Sequence, residues 1–274
     1  MPDHALLGAG LGAIVGAILA LTGAGGGILA VPLLVFGLGL SMAQAAPVGL
    51  LAVGLAAALG AALGLREGIV RYRAAGFIAL IGVVFAPAGL WLAHRVPNAP
   101  LAFAFAALLL YAMQRMYFKA RRELSGDALQ APRELLPCVV NPVQGRLRWT
   151  LPCARALALT GVVSGVLSGL LGVGGGFVIV PALTRYSDLD MKSVVATSLA
   201  VIALVSAGSV AAASAGGVMH WGIGAPFAAG AVAGLAAGRL FAHRLAGPRL
   251  QQLFAVVGVI AALLLIWRGV LDLH

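Results

Sequence analysis

Gly25, Gly26 and Gly27 close the stretch Thr22-Gly23-Ala24-Gly25-Gly26-Gly27, and Gly174, Gly175 and Gly176 close Gly172-Val173-Gly174-Gly175-Gly176, four residues after Ser168. Each cluster runs into an apolar segment with a proline, Pro32 or Pro181, five residues beyond its last glycine. A helix that begins at such a turn has no partner for its first N–H groups and presents the positive end of its dipole, which holds an anion without a charged side chain. The hydroxyls of Thr22, Ser168, Thr197 and Ser198 and the amide of Gln44 add neutral donors nearby in sequence. The expected substrate-binding set is therefore Gly25, Gly26, Gly27, Gly174, Gly175, Gly176, Thr22, Gln44, Ser168, Thr197 and Ser198.

The two clusters are copies. Leu21 to Pro32 returns 149 positions later as Leu170 to Pro181, and the register holds without a gap. Gly12 and Gly16 fall on Gly161 and Gly165, Gly68 on Gly217, Gly89 on Gly238, and Ala93-His94-Arg95 on Ala242-His243-Arg244. Two homologous halves thus span nearly the whole chain.

The elements that must position these turns are membrane helices. Hydrophobic residues make up 62% of the chain, charged residues only 9%, and mean hydropathy is +1.05, outside the range of soluble domains. The apolar runs have helical lengths and lack the dyad alternation of a barrel strand, so the fold class is all-α and polytopic. Each half reads as five segments, near 5–22, 28–40, 44–65, 74–93 and 99–117, then 154–171, 177–187, 192–214, 222–242 and 250–271. A single helix over residues 5–40 would run roughly 54 Å against a hydrocarbon core of about 30 Å. The first two segments of each half are therefore expected to form a hairpin, re-entrant or broken, with the glycines at its tip. The division is 1–117 for one membrane repeat, 118–153 for a cytoplasmic linker and 154–274 for the second repeat.

Charge sets the orientation. If each hairpin re-emerges on its starting side, the halves have opposite orientation, and 16 of the 18 basic residues fall in cytoplasmic loops. Counting each hairpin as one crossing makes the halves parallel and divides the same residues 12 to 6. Arg66, Arg71 and Arg73 after the third segment of half one face an uncharged Gly216-Gly217-Val218-Met219-His220 in half two, as inverted repeats require. Both termini are expected outside. The amino terminus lacks the basic start of a signal peptide and reads as a retained first segment.

Other features exclude function classes. The net charge of +10 lies in short clusters between apolar runs, without aromatic interleaving, which excludes nucleic acid and fits topology signals. All eight acidic residues lie in or near loops and termini, so no buried carboxylate is available to carry a proton or sodium ion. Gly23-Ala24-Gly25 lacks the third glycine, strand and downstream acid of a dinucleotide site. Cys138 and Cys153 lack nearby histidines, and in a reducing compartment they stand as free thiols without assigned function. His94 and His243, beside Arg95 and Arg244, read as interface anchors. Gly12 and Gly16, Gly161 with Gly165 and Gly169, and Gly230 with Gly234 and Gly238 read as helix-packing stripes. No catalytic dyad or metal set is present, so neither an enzyme nor a cofactor is expected.

The paired glycine-and-proline stretches, with Ala196-Thr197-Ser198-Leu199 after the second, resemble the sulfite exporter TauE/SafE family of bacterial membrane transporters. The resemblance implies a permease of the cytoplasmic (inner) membrane for a small sulfur-containing or carboxylated anion such as sulfite, sulfoacetate or a related organosulfonate. Where half two has Ala196-Thr197-Ser198, half one has Pro47-Val48-Gly49, so the site is expected to be asymmetric. Expected partners are a small anion and the lipid bilayer, with a homo-oligomer also admitted. The competing readings are a membrane-bound sulfur-relay component using the linker cysteines, and a channel or scaffold in which the hairpins are purely structural.

Overall fold

A computed structural model describes residues 2–22, 27–125, 137–141, 146–147, 149–245 and 248–271. In the first half, α1 (Pro2–Thr22) leads through the first glycine cluster to a short α2 (Ala30–Gly37), followed by α3 (Met42–Arg66), α4 (Tyr72–Arg95) and α5 (Asn98–Ser125). Two short paired strands, β1 (Val140–Asn141) and β2 (Arg146–Leu147), lie between the halves. The second half repeats the order with α6 (Leu151–Leu171), a short α7 (Gly176–Tyr186), α8 (Met191–Ala215), α9 (Trp221–Leu245) and α10 (Pro248–Leu271). Seven of the described helices, α3 to α6 and α8 to α10, are long and apolar enough to cross a membrane. The chain is an all-α, multi-pass membrane protein.

Local chemistry sets most boundaries. Ser41 and Gln44 form a reciprocal capping box at the start of α3, Thr150 caps α6, and Asp190 caps α8. Gly68, Gly172 and Gly217, all at positive φ, follow the ends of α3, α6 and α8, where a side chain would be strained. α5 runs eight residues beyond the expected end of its apolar segment, because Lys119, Arg121, Arg122 and Glu123 continue the helix once it leaves the hydrocarbon.

The glycine stripes pack backbone against backbone between the halves. A Cβ at Gly161 would stand 2.8 Å from the Ile78 carbonyl oxygen, and Gly165 and Gly169 abut Gly82 and Ala86. The pairs rise together along both chains, so α6 and α4 run parallel. Gly230, Gly234 and Gly238 likewise meet Ala9, Ala13 and Ala17 in order, so α9 runs parallel to α1. α3 and α8 run antiparallel, with Gly54 against Ser206, Gly60 against Leu199 and Gly64 against Ala196. The most extensive interfaces, α1 with α9, α4 with α6, α5 with α10 and α3 with α8, map onto one another when the halves are exchanged.

The short arms double back. Gly37 at the end of α2 lies against Leu11 in the middle of α1, while Gly27 at its start lies against Val53. α2 and α7, of 8 and 11 residues, rise only about 12 and 16 Å, too little to cross a bilayer.

The linker cysteines depart from expectation. Cys138 and Cys153 form a disulfide with 4.9 Å between their Cα atoms, and the side chains are buried, at 0% and 1% exposure. Compartment was the wrong guide, because the chain itself brings the two together. The Cys138 N–H donates to the Tyr186 carbonyl at the end of α7 and the Thr150 hydroxyl donates to the Pro137 carbonyl, placing Cys138 on the first turn of α6. Residues 126–136, 142–145 and 148 of the expected linker lie outside the described residues.

Candidate functional site

The two hairpin tips meet around Val53. A Cβ on Gly27 would stand 2.9 Å from a Val53 methyl and 3.6 Å from the Val173 carbonyl oxygen of the other tip. Gly174 reaches the same Val53 side chain at 3.5 Å, and Ile202 and Ser206 of α8 besides. Gly49, on α3, faces the Gly172 carbonyl oxygen at 3.4 Å. Positive φ at Gly172, Gly174 and Gly175 folds the second tip, and Gly175 lies against Ser164 of α6.

From this point α2 and α7 begin, and neither has a side-chain cap. The Gly175 carbonyl accepts the N–H groups of Val178 and Ile179, leaving those of Gly176 and Phe177 with no hydrogen bond among the described residues. Ile28, Leu29, Ala30 and Gly176 are buried, so these helix starts are removed from solvent, unlike the uncapped start of α4, where Tyr72 and Arg73 are exposed. Two buried, uncapped helix starts within one packed cluster form a patch of partial positive charge with no acidic side chain beside it.

The expected binding residues divide between this patch and other tasks. Gly27, Gly174, Gly175 and Gly176 lie in it, while Gly25 and Gly26 lie outside the described residues. Ser168 is fully buried on the last turn of α6, and its hydroxyl has no partner. Thr22 ends α1, but its side chain, like those of His94 and His243, lies outside what is described. Gln44 is engaged at the surface in the α3 capping box, its Oε1 accepting the Ser41 N–H at 3.2 Å. Thr197 Oγ1 accepts the Arg71 N–H at 3.0 Å, tying the α3–α4 turn to α8. The Ser198 hydroxyl donates to the Val195 carbonyl at 2.8 Å.

Three buried serines on α6 and α8 escaped the sequence reading. Ser206 and Ser209 are buried on α8 without partners, and Ser164 is buried on α6 one turn before Ser168. The signal was available in the repeat register, because half one has Ala57, Gly60 and Val15 where half two has Ser206, Ser209 and Ser164. The polarity of the site comes from half two.

No group of three or more metal-ligating side chains exists among the described residues. Comparison with known proteins identifies a family, described as "Sulfite exporter TauE/SafE", that matches residues 8–265. Two relatives from Xylella fastidiosa, each called a probable membrane transporter protein, span 95% of this chain and 94% of their own. One, from strain 9a5c, is 28% identical over 264 residues and the other, from strain Temecula1, 30% identical over 263. A probable membrane transporter protein of Methanocaldococcus jannaschii is 48% identical over 52 residues, 19% of each chain. No solved structure matches.

Proposed function

The chain belongs to the sulfite exporter TauE/SafE family, and from that premise we propose that it carries a small sulfur-containing anion, such as sulfite or an organosulfonate like sulfoacetate, across the bacterial inner membrane. The observation that carries this reading is the pair of buried, uncapped helix starts of α2 and α7, which converge on one cluster. Backbone amides and a dipole end bind an oxyanion there where a bare lysine or arginine would be costly in lipid. The protein acts as a carrier and not as an enzyme. Its halves, 1–117 and 154–274, are inverted repeats joined by the 118–153 linker, and they rock about the arms to expose the site to each side in turn.

The antiparallel α3–α8 pair and the parallel α1–α9 and α4–α6 pairs support the inverted arrangement. Thr197 joins the α3–α4 turn to α8, Arg239 of α9 lies 3.7 Å from Glu67, and Cys138 bonds the end of α7. The loops with most of the basic residues thereby share a face, which we assign to the cytoplasm, with both termini outside. The disulfide on that face is the kind of bond expected of an oxidising compartment. Charge spread over several loops is the stronger topological signal, and the buried sulfurs are screened from soluble reductants.

The test is uptake of radiolabelled sulfite, sulfoacetate and sulfate by proteoliposomes of purified protein. The reading predicts saturable uptake of at least one of them, inhibited by unlabelled competitor. Flux that rises linearly with concentration would mean a channel, and no flux above empty liposomes for any of the three would overturn the assigned substrate class.

A further inference from the structure

The second hairpin presents two opposite poles within a few residues. α7 begins at Gly176 with its positive end, while α6 ends at Leu171 with its negative end. The Gly172 N–H donates to the Ser168 carbonyl at 2.9 Å, but among the described residues the carbonyls of Gly172 and Val173 accept no hydrogen bond. They face Gly49 and Gly27, where a Cβ would stand 3.4 Å from the Gly172 oxygen and 3.6 Å from the Val173 oxygen. One hydroxyl lies at the same place, and two more follow within about a helical turn along α8 and α6. Ser206 Oγ lies 3.4 Å from where a Cβ of Gly174 would stand, Ser209 follows it by one turn on α8, and Ser168 stands on the last turn of α6 above Ser164, which touches Gly175. Ser168, Ser206 and Ser209 are 0%, 0% and 2% exposed, and their hydroxyls have no hydrogen-bond partner among the described residues.

Buried hydroxyls without partners are costly, so a ligand is the natural source of compensation. At the negative end of a helix, beside open carbonyls, that ligand is a cation, because an anion is repelled there. All eight acidic residues lie in or near loops and termini, so the available ligands are neutral oxygens. Calcium and magnesium rely on carboxylates; neutral oxygens in a buried site suit a monovalent ion. We propose that the carbonyls of Gly172 and Val173, with the hydroxyls of Ser168 and Ser206 and with Ser209 one turn further, bind a sodium ion. The ion sits beside the anion held at the start of α7, so sodium and anion neutralise one another and cross together. This coupling rests on the anion reading above; the cation site itself does not.

Two measurements separate them. Thermal unfolding of the purified protein in sodium, potassium or choline chloride at equal ionic strength reads cation binding without transport. Sodium alone should raise the midpoint, saturably, and Ser206→Ala should raise the half-saturating sodium concentration about tenfold, a loss expected for one buried ligand. Ser168→Ala serves as the second variant should Ser206→Ala not fold. Anion uptake into proteoliposomes should fall about tenfold when choline replaces external sodium, in line with the same coupling. A midpoint indifferent to sodium would overturn the site, as would a sodium response unchanged in both variants. Saturable uptake that is equal in choline and sodium would refute coupling while leaving the carrier intact. A sodium-dependent midpoint with no anion uptake would retain the cation site and overturn the assigned substrate class.

Discussion

Serine and threonine supply all the buried polar side chains among the described residues, and every one lies between Thr160 and Ser209. Four return their hydrogen bond to the backbone of their own helix, as Thr160 does to the Ala156 carbonyl at 2.8 Å and Ser164 to the Gly161 carbonyl at 3.3 Å, while Thr197 accepts the Arg71 N–H and Ser193 pairs with Asp190. Ser168, Ser206 and Ser209 have no hydrogen-bond partner among the described residues, and the proposed cation site rests on that difference. Gly175 is a poor probe of it. With φ at +70° and Ser164 only 2.7 Å from a would-be Cβ, a side chain there strains the turn itself, so lost transport in Gly175→Val would not distinguish site from fold. Asp190 has a separate, structural task at the α8 start. Hydrogen bonds from the Ser193 hydroxyl and backbone N–H hold its carboxyl below the usual aspartate range, with Arg71 adding a smaller electrostatic effect. Because its pKa is lowered on folding, Asp190 contributes stability above the unfolded-state pKa and loses it as pH falls through the folded one. Asp190→Ala should cost about 1 kcal/mol at neutral pH, and Asp190→Asn distinctly less, since an amide oxygen still caps. Unfolding midpoints at neutral and acidic pH check this, the wild type losing its advantage over both variants in acid. Glycine, proline and the repeat register were legible at this scale, whereas hydroxyl partners were not, because whether a serine bonds its own helix depends on rotamer and neighbours.

The two short arms are the elements on which the account turns, and both are anchored at their far ends. α2 ends where Arg268 of α10 donates from Nη1 to the Val35 carbonyl at 2.8 Å. α7 ends where the Cys138 N–H meets the Tyr186 carbonyl and the disulfide ties Cys138 to α6. A cation at a helix C-terminus opposes the dipole, so Arg268 fixes α2 by charge as well as by hydrogen bond. Arg268→Ala should therefore destabilise the protein by roughly 1.5–3 kcal/mol, with Arg268→Lys intermediate, as read by thermal unfolding in detergent. An unchanged midpoint would mean that α2 is held by packing alone. Hydropathy located these arms to within a few residues, because a glycine cluster precedes each short apolar run. It did not foresee the anchors. Arg268 and Val35 lie 233 positions apart, and the cysteines' spacing alone does not show that the fold brings them together.

Across the whole molecule, the exchange of halves organises every major interface. Equivalent helices find equivalent partners, and the tips of both hairpins reach Val53. The 149-residue offset made the duplication plain, and the unequal charge of equivalent loops is the sequence signal on which the proposed orientation rests, because loop charge is under topological control while apolar helix sequence is not. Which helices would pair was not legible, since glycine stripes announce close packing without naming the partner. The central claim is that opposed halves bring two helix starts to one anion. Its most direct test is sided labelling in intact cells with a membrane-impermeant maleimide, using Tyr72→Cys at the start of α4 and His220→Cys before α9, both exposed positions. The native cysteines are bonded and buried, so they stay silent. The account predicts that Cys at 220 is labelled from outside and Cys at 72 only after the cells are opened; labelling of both from the same side would contradict it, because parallel halves cannot bring the two arms together.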